Sequence, residues 1–209
     1  MDKINAYDKL SSVEYTYLEK KHKALETIAK MLINRNVVDT SVENIYDNFK
    51  KSLDTNNDEI ATYNYNSISY KVKFIQRQVQ TIKKTPEIEV FLEEHAKHYK
   101  FLIVSGINEK VKKFLSSVIN LEIFTLSEII INVIDHYLVP KHKLLTSTEK
   151  DKLIKEYELK NKDLPRIYIS DIISRYYNAQ IGDIFEIERY SPISGYSTFY
   201  RLVVPGIIS

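Results

Sequence analysis

The stretch His136-Tyr137-Leu138-Val139-Pro140-Lys141-His142 sets two imidazoles on either side of an apolar segment ending in proline. Histidine pairs ligate metals or move protons. A separation of six residues through Val139 and Pro140 is not a helical ligand spacing, and a tetrahedral site needs two further ligands that the sequence does not place. Glu94, His95 and His98 form a second candidate, since i+3 and i+4 spacings share one face of a helix. No matching second ligand set accompanies them, so a solvated polar face is expected. The chain has no cysteine, which excludes disulfides, Cys-ligated zinc, iron–sulfur clusters and thiol catalysis. Its four glycines, Gly106, Gly182, Gly195 and Gly206, are too scattered for a phosphate-cradling loop. Ser105-Gly106 is too weak a signal for a nucleophile. Magnesium nucleases of the restriction-endonuclease type need a carboxylate and an acid-x-Lys pair on adjacent strands. Where that pair belongs, this chain has Ser69-Tyr70-Lys71 and Lys71-Val72-Lys73, while Asn108-Glu109-Lys110 is expected off the strand. No catalytic residue, metal or cofactor is assigned, and a magnesium-dependent, nuclease-like DNA-processing protein is the alternative reading.

The elements that must position these residues fall into two halves. Leu18, Leu25, Ile28, Ala29 and Leu32 recur at helical spacing and predict a helix over 12–34. Thr40 and Glu43 read as a capping box for a helix to about residue 53, and 54–59 as a loop. Segments 60–65 and 68–75 read as a hairpin turning at Asn66 and Ser67. Thr85-Pro86 opens a helix through 98. The strand 100–105, a helix over 107–119 and a strand over 121–125 complete a strand-helix-strand α/β core. After residue 126 the texture changes. Thr146 and Glu149 cap a helix to about residue 158, Leu164-Pro165-Arg166-Ile167 is held extended, Asp171 caps a short helix, and strands 185–190 and 197–204 meet through a turn containing Pro192 and Gly195. Pro140 is expected to hold Leu138 and Val139 extended as well. The expected division is 1–127 and 128–209, the second a small α+β domain.

At 209 residues, 44% hydrophobic and 28% charged, the chain is expected to fold. The apolar run 123–134 is short and carries Glu128 and Asn132, so neither export nor a membrane span is supported, and an intracellular protein is expected. Net charge is only +2. Its distribution is uneven. Residues 70–84 hold Lys71, Lys73, Arg77, Lys83 and Lys84 and no acid, and Lys110, Lys112 and Lys113 come after the third strand. Such patches engage phosphates without reading sequence, although a solvated face is equally common.

The region 136–201 resembles the C-terminal assembly domain of the fifth subunit of eukaryotic nuclear RNA polymerases, a family with a short archaeal counterpart. His136-x-Leu138-Val139-Pro140-x-His142 matches that family's signature, and Thr146 with Glu149, Tyr157-Glu158-Leu159, Leu164-Pro165-Arg166-Ile167, Asp171, Arg175-Tyr176, Gly182-Asp183 and Tyr200-Arg201-Leu202-Val203 come in its order. The opening helix, Lys100 to Gly106, and Glu128 to Asp135 resemble the family's jaw domain. The A/T-rich codon usage implied by abundant Asn, Lys, Ile and Tyr is similar to that of a version from a large DNA virus. The resemblance implies a non-catalytic polymerase subunit with a nuclease-like jaw lacking its active site. It implies docking on the largest subunit near the omega-like sixth subunit, with the jaw close to downstream double-stranded DNA and no membrane partner. The implied interface comprises His136, Leu138, Val139, Pro140 and His142; Leu164, Pro165 and Arg166; Arg175 and Tyr176; and Tyr200 and Arg201. Asn108, Lys110 and Lys112 carry over as DNA-proximal positions, joined by Lys113, Lys71, Lys73 and Arg77 from the charge map. This chain departs from the family at Asn108-Glu109, where Thr-Pro is frequent, and at Ile172, Asn178 and Ile181, in place of a proline, a glycine and a basic residue. The implied compartments are host cytoplasm and virion for a viral chain and the nucleus for a cellular one.

Overall fold

The computed structural model describes residues 15–55, 60–158, 163–191 and 195–206. Helix α1 (Tyr17–Asn34) starts at a capping box in which Thr16 Oγ1 accepts the Glu19 amide while the Glu19 carboxylate accepts the Thr16 amide at 2.7 Å. The expected start at residue 12 lies outside the described residues. Ala24, Leu25, Ile28, Ala29 and Leu32 form its buried stripe, whereas Leu18 is exposed. Helix α2 (Val42–Thr55) begins one residue later than the sequence suggests, because Ser41 Oγ, and not Thr40, accepts the Asn44 amide. The Thr40–Glu43 capping box does not form. Most of the loop expected at 54–59 lies outside the described residues.

Strands β1 (Ile60–Tyr65) and β2 (Ile68–Val79) form the expected hairpin. Asn66 and Ser67 both adopt positive φ, the two-residue turn whose twist matches paired strands. Helix α3 (Pro86–Glu94) places Pro86 at its first position, where no amide is needed. It ends at Glu94, not at 98. The chain turns instead so that the carbonyls of His95, Ala96 and His98 converge on the Lys100 ammonium at 2.9–3.3 Å, a side chain only 1% exposed. Burial pushes the Lys100 pKa down. Strand β3 (Tyr99–Ile107), helix α4 (Glu109–Leu115) and strand β4 (Leu121–Thr125) come next, with α4 shorter than the expected 107–119.

The first sheet has the order β1-β2-β3-β4, with β2, β3 and β4 parallel. One face packs Tyr70, Val72, Phe74, Phe101 and Phe124 against α1 and α2. The other packs Ile75, Leu102, Val104 and Ile123 against Ile88 of α3 and Leu115 of α4. Such strands, covered on both faces, read as continuous apolar runs.

Helix α5 (Leu126–Ile130) leaves β4 directly through a capping box of Thr125 and Glu128, and the expected division between 127 and 128 falls inside it. The second sheet has the order β5-β7-β8-β6, built from β5 (Lys141–Leu144), β6 (Arg166–Tyr168), β7 (Ile184–Ser191) and β8 (Gly195–Val204). Its pairs are antiparallel except β6 with β8. Helix α6 (Ser147–Glu156) carries the Thr146–Glu149 capping box and stops two residues before the expected 158. Helix α7 (Ile172–Tyr176) is capped by the Asp171 carboxylate, which accepts the Ile173 amide at 2.8 Å. Strand β5 was not foreseen, and the β7–β8 turn at 192–194 lies outside the described residues. The described residues thus form a mixed α/β protein with two four-stranded sheets.

Candidate functional site

The segment before β5 is a turn and not the extended run expected from Pro140. The Val139 amide donates to the His136 carbonyl at 2.9 Å, and His136 Nδ1 accepts the Leu138 amide at 3.2 Å. This imidazole does locally what an Asx side chain does in a turn, and the ring of Pro140 fixes φ only at position 140 itself. Val139 tucks against the core formed by Ile167, Ile173, Phe185, Ile187 and Val203. Tyr137 and Leu138 are thereby thrust outward, 87% and 70% exposed. His142 is half-buried; its Nδ1 lies 2.7 Å from the Pro140 carbonyl, to which it donates, and its ring meets Phe185 edge-on. Burial holds its pKa below the usual range, so the ring is neutral near pH 7. Tyr177 Oη donates to the His142 carbonyl at 2.8 Å, securing the inner side of β5.

This turn forms one wall of a groove of about 880 Å³. Ile187, Tyr190, Tyr196, Phe199, Tyr200 and Arg201 of the β7–β8 ribbon also line it, with Pro165. Tyr190, Tyr196 and Phe199 are exposed, and the two tyrosine rings sit 5.2 Å apart. Sequence reading missed these three, although the alternation of β8 signalled two-faced exposure. Leu164 is buried with Leu153, Ile184 and Leu202, while Arg166 is exposed.

Arg175 and Tyr176 point the other way, into the first half. The Arg175 guanidinium donates to Glu128 Oε1 at 2.7 Å and lies over the Phe124 ring. Burial alone would raise the Glu128 pKa, but bonds from Arg175 and Thr125 hold it below the usual carboxylate range. Tyr176 is buried, Asn34 Nδ2 donates to its hydroxyl at 2.9 Å, and burial pushes its pKa up to about 12. Arg35, which no sequence signal marks, grips Glu122 with two bonds of 2.6 and 2.8 Å.

Of the basic positions, Lys110 and Lys113 are exposed and Lys112 is partly so, on α4 beyond the third strand. Asn108 caps that helix, its Oδ1 accepting the Lys110 amide at 3.0 Å. Arg77 pairs with Glu87 at 3.0 Å, and Lys71 donates to Thr62 Oγ1 at 3.0 Å. Lys73 lies on β2, half-buried. The strands β2 and β3 carry no carboxylate. His95 and His98 lie past the end of α3, their ring centroids 5.6 Å apart. Among the described residues, no group of three His, Cys, Asp or Glu is placed to hold a metal ion, and no helix is long and apolar enough to cross a membrane.

An α+β module that turns apolar and aromatic side chains outward around a groove has the surface character of an assembly module. The family described as "RNA polymerase Rpb5, C-terminal domain" matches residues 131–203. The chain is 45% identical over 73 residues to the DNA-directed RNA polymerase subunit Rpo5 of Thermococcus kodakarensis, covering 35% of this chain and 89% of that one. It is 41% identical over 76 residues to Rpo5 of Methanocaldococcus jannaschii, covering 36% and 97%. It is 43% identical over 86 residues to the subunit rpabc1 of RNA polymerases I, II and III of Dictyostelium discoideum, covering 41% and 44%. The chain belongs to the Rpb5 family of DNA-directed RNA polymerase subunits. Its role is that of a non-catalytic subunit in transcription, and the nuclease alternative has no support.

Proposed function

We propose that residues 128–209 dock this chain on the largest subunit of a DNA-dependent RNA polymerase, beside the omega-like sixth subunit, and that residues 1–127 form a jaw near downstream double-stranded DNA. The outward pair Tyr137 and Leu138, on the rim of the groove and within the matched segment, carries the docking reading. Exposed aromatic and aliphatic anchors beside a cleft are the usual energetic centre of a protein interface. Pro165, Arg166, Tyr200 and Arg201 extend that surface, with Arg166 free to take a partner carboxylate in a two-bond grip. His136 and His142 shape the turn, and Leu164 belongs to the neighbouring core with Leu153, Ile184 and Leu202.

The jaw reading rests on the parallel strand-helix-strand sheet, whose β2 and β3 lack the carboxylates of a nuclease. Lys110, Lys112 and Lys113 supply weak, sequence-independent attraction to the DNA backbone, with Lys71, Lys73, Arg77 and Asn108 in support. Glu109 opposes phosphate there. The protein works inside the cell. The proposed setting is a polymerase encoded by a large DNA virus, in host cytoplasm and virion; a cellular gene would move it to the nucleus, and the genomic neighbours of the gene decide.

Affinity capture of the tagged full chain tests this reading. Recovery of the two large polymerase subunits is expected, together with their loss when Leu138 and Pro140 are both substituted. Capture that repeatedly lacks those subunits would sink it, and full retention by the double variant would move the interface elsewhere.

A further inference from the structure

Two arginines outside the docking surface, Arg35 and Arg175, bridge the halves of the chain. Arg35 comes directly after α1 and is only 5% exposed at its side chain; Glu122 on β4 is 14% exposed. Besides its two bonds to Glu122, Arg35 donates from Nε to the Tyr176 carbonyl at 2.7 Å and from Nη2 to the Arg175 carbonyl at 2.9 Å. A single planar guanidinium thus fastens α1, β4 and α7 in one fixed geometry. Arg175 answers from α7, donating to Glu128 and to the Ile123 carbonyl of β4.

We propose that Arg35 and Arg175 lock the two sheets of this chain into one cooperative unit, so that a displacement imposed on either sheet is delivered to the other without a hinge. Apolar packing supports the lock, since Tyr176 and Ile129 belong to the same buried cluster as α1 and α2. Polar ties flank it, with Lys30 paired to Asp135 at 2.9 Å and Asn178 Nδ2 donating to Tyr99 Oη at 3.0 Å. The covalent connection is tight where it starts, since α5 leaves β4 without a loop, and no glycine occurs between Gly106 and Gly182. Swivelling would strip a buried ion pair of its partner, which proteins resist strongly. A jaw whose angle is set before assembly is the consequence for transcription, and that consequence rests on the proposed function; the coupling does not.

Native-state hydrogen exchange of the isolated full chain, followed amide by amide with increasing urea, tests the lock. The β3 and β7 amides of the natural chain should open together, with one free energy and one urea slope. In Arg35→Gln/Arg175→Gln, which leaves Glu122 and Glu128 unpaired, the β7 amides should exchange on the order of a hundredfold faster than those of β3. Arg35→Lys/Arg175→Lys keeps the charges but not the fork and should fall between. Separate openings in the natural chain would overturn the proposal, as would a single opening in the folded glutamine variant; should that variant not fold, the natural chain and the lysine variant still decide. Because no polymerase is present, this outcome is independent of which subunits are captured by the tagged chain.

Discussion

The seam between the halves and the turn at Tyr137 and Leu138 obey opposite rules. At the seam every guanidinium is spent on an internal partner, and the phenol of Tyr176 is buried and bonded. At the turn, large apolar side chains stand in water while the Leu138 and Val139 amides beneath them are both bonded to His136. The seam's ion pairs are closed within the chain, whereas the turn is tied down by His136 and left uncovered. The contrast separates residues that hold this protein together from those proposed to join it to something else, although the region 136–201 contains both.

Substitutions can break or sharpen that contrast. Arg35→Met, which leaves Glu122 buried and unpaired, should lower the unfolding free energy by about 3–5 kcal/mol in urea titrations. A loss below about 1 kcal/mol would show the seam to be ordinary surface. Lys100→Met strands three carbonyls at the end of α3 and should cost about 1–3 kcal/mol by the same measurement. Acid should loosen the seam next. Because the folded-state pKa of Glu128 is depressed, its stabilising contribution is complete above the ordinary carboxylate range and is lost as pH falls through the folded value. Glu128→Gln should therefore flatten the fall in stability between neutral and acidic pH. Smallest in the isolated chain is Tyr137→Ser/Leu138→Ser, within about 0.5 kcal/mol of the natural protein. That variant should nonetheless lose the polymerase subunits in affinity capture, and a large stability loss would assign the turn to the core instead.

What the sequence disclosed was what is local. Thr146 with Glu149, Thr85 with Pro86 and Asp171 before α7 each act within four residues, and all three were readable. The alternation of apolar strand and helix that makes the first sheet was equally plain, because parallel strands covered on both faces must be apolar throughout. Arg35 was invisible because Glu122 lies 87 residues away and the Arg175 carbonyl 140 away. The Tyr137 turn was misjudged because Pro140 constrains its predecessor, while His136 supplied an acceptor two residues on that only the fold reveals. Asn178, where the resemblance expects a glycine, has φ 52°, a conformation asparagine tolerates better than most residues.

The place of β4 has a consequence for how the chain is made. It is the outer strand of the first sheet, and Arg175, which donates to its Ile123 carbonyl, lies 52 residues further along. During synthesis at about 5–20 residues per second, the first sheet is complete for some seconds before the side chain that screens its rim leaves the ribosome. For that interval the newborn chain presents an open strand edge, and translation speed through residues 126–175 sets how long it must stay out of the reach of others.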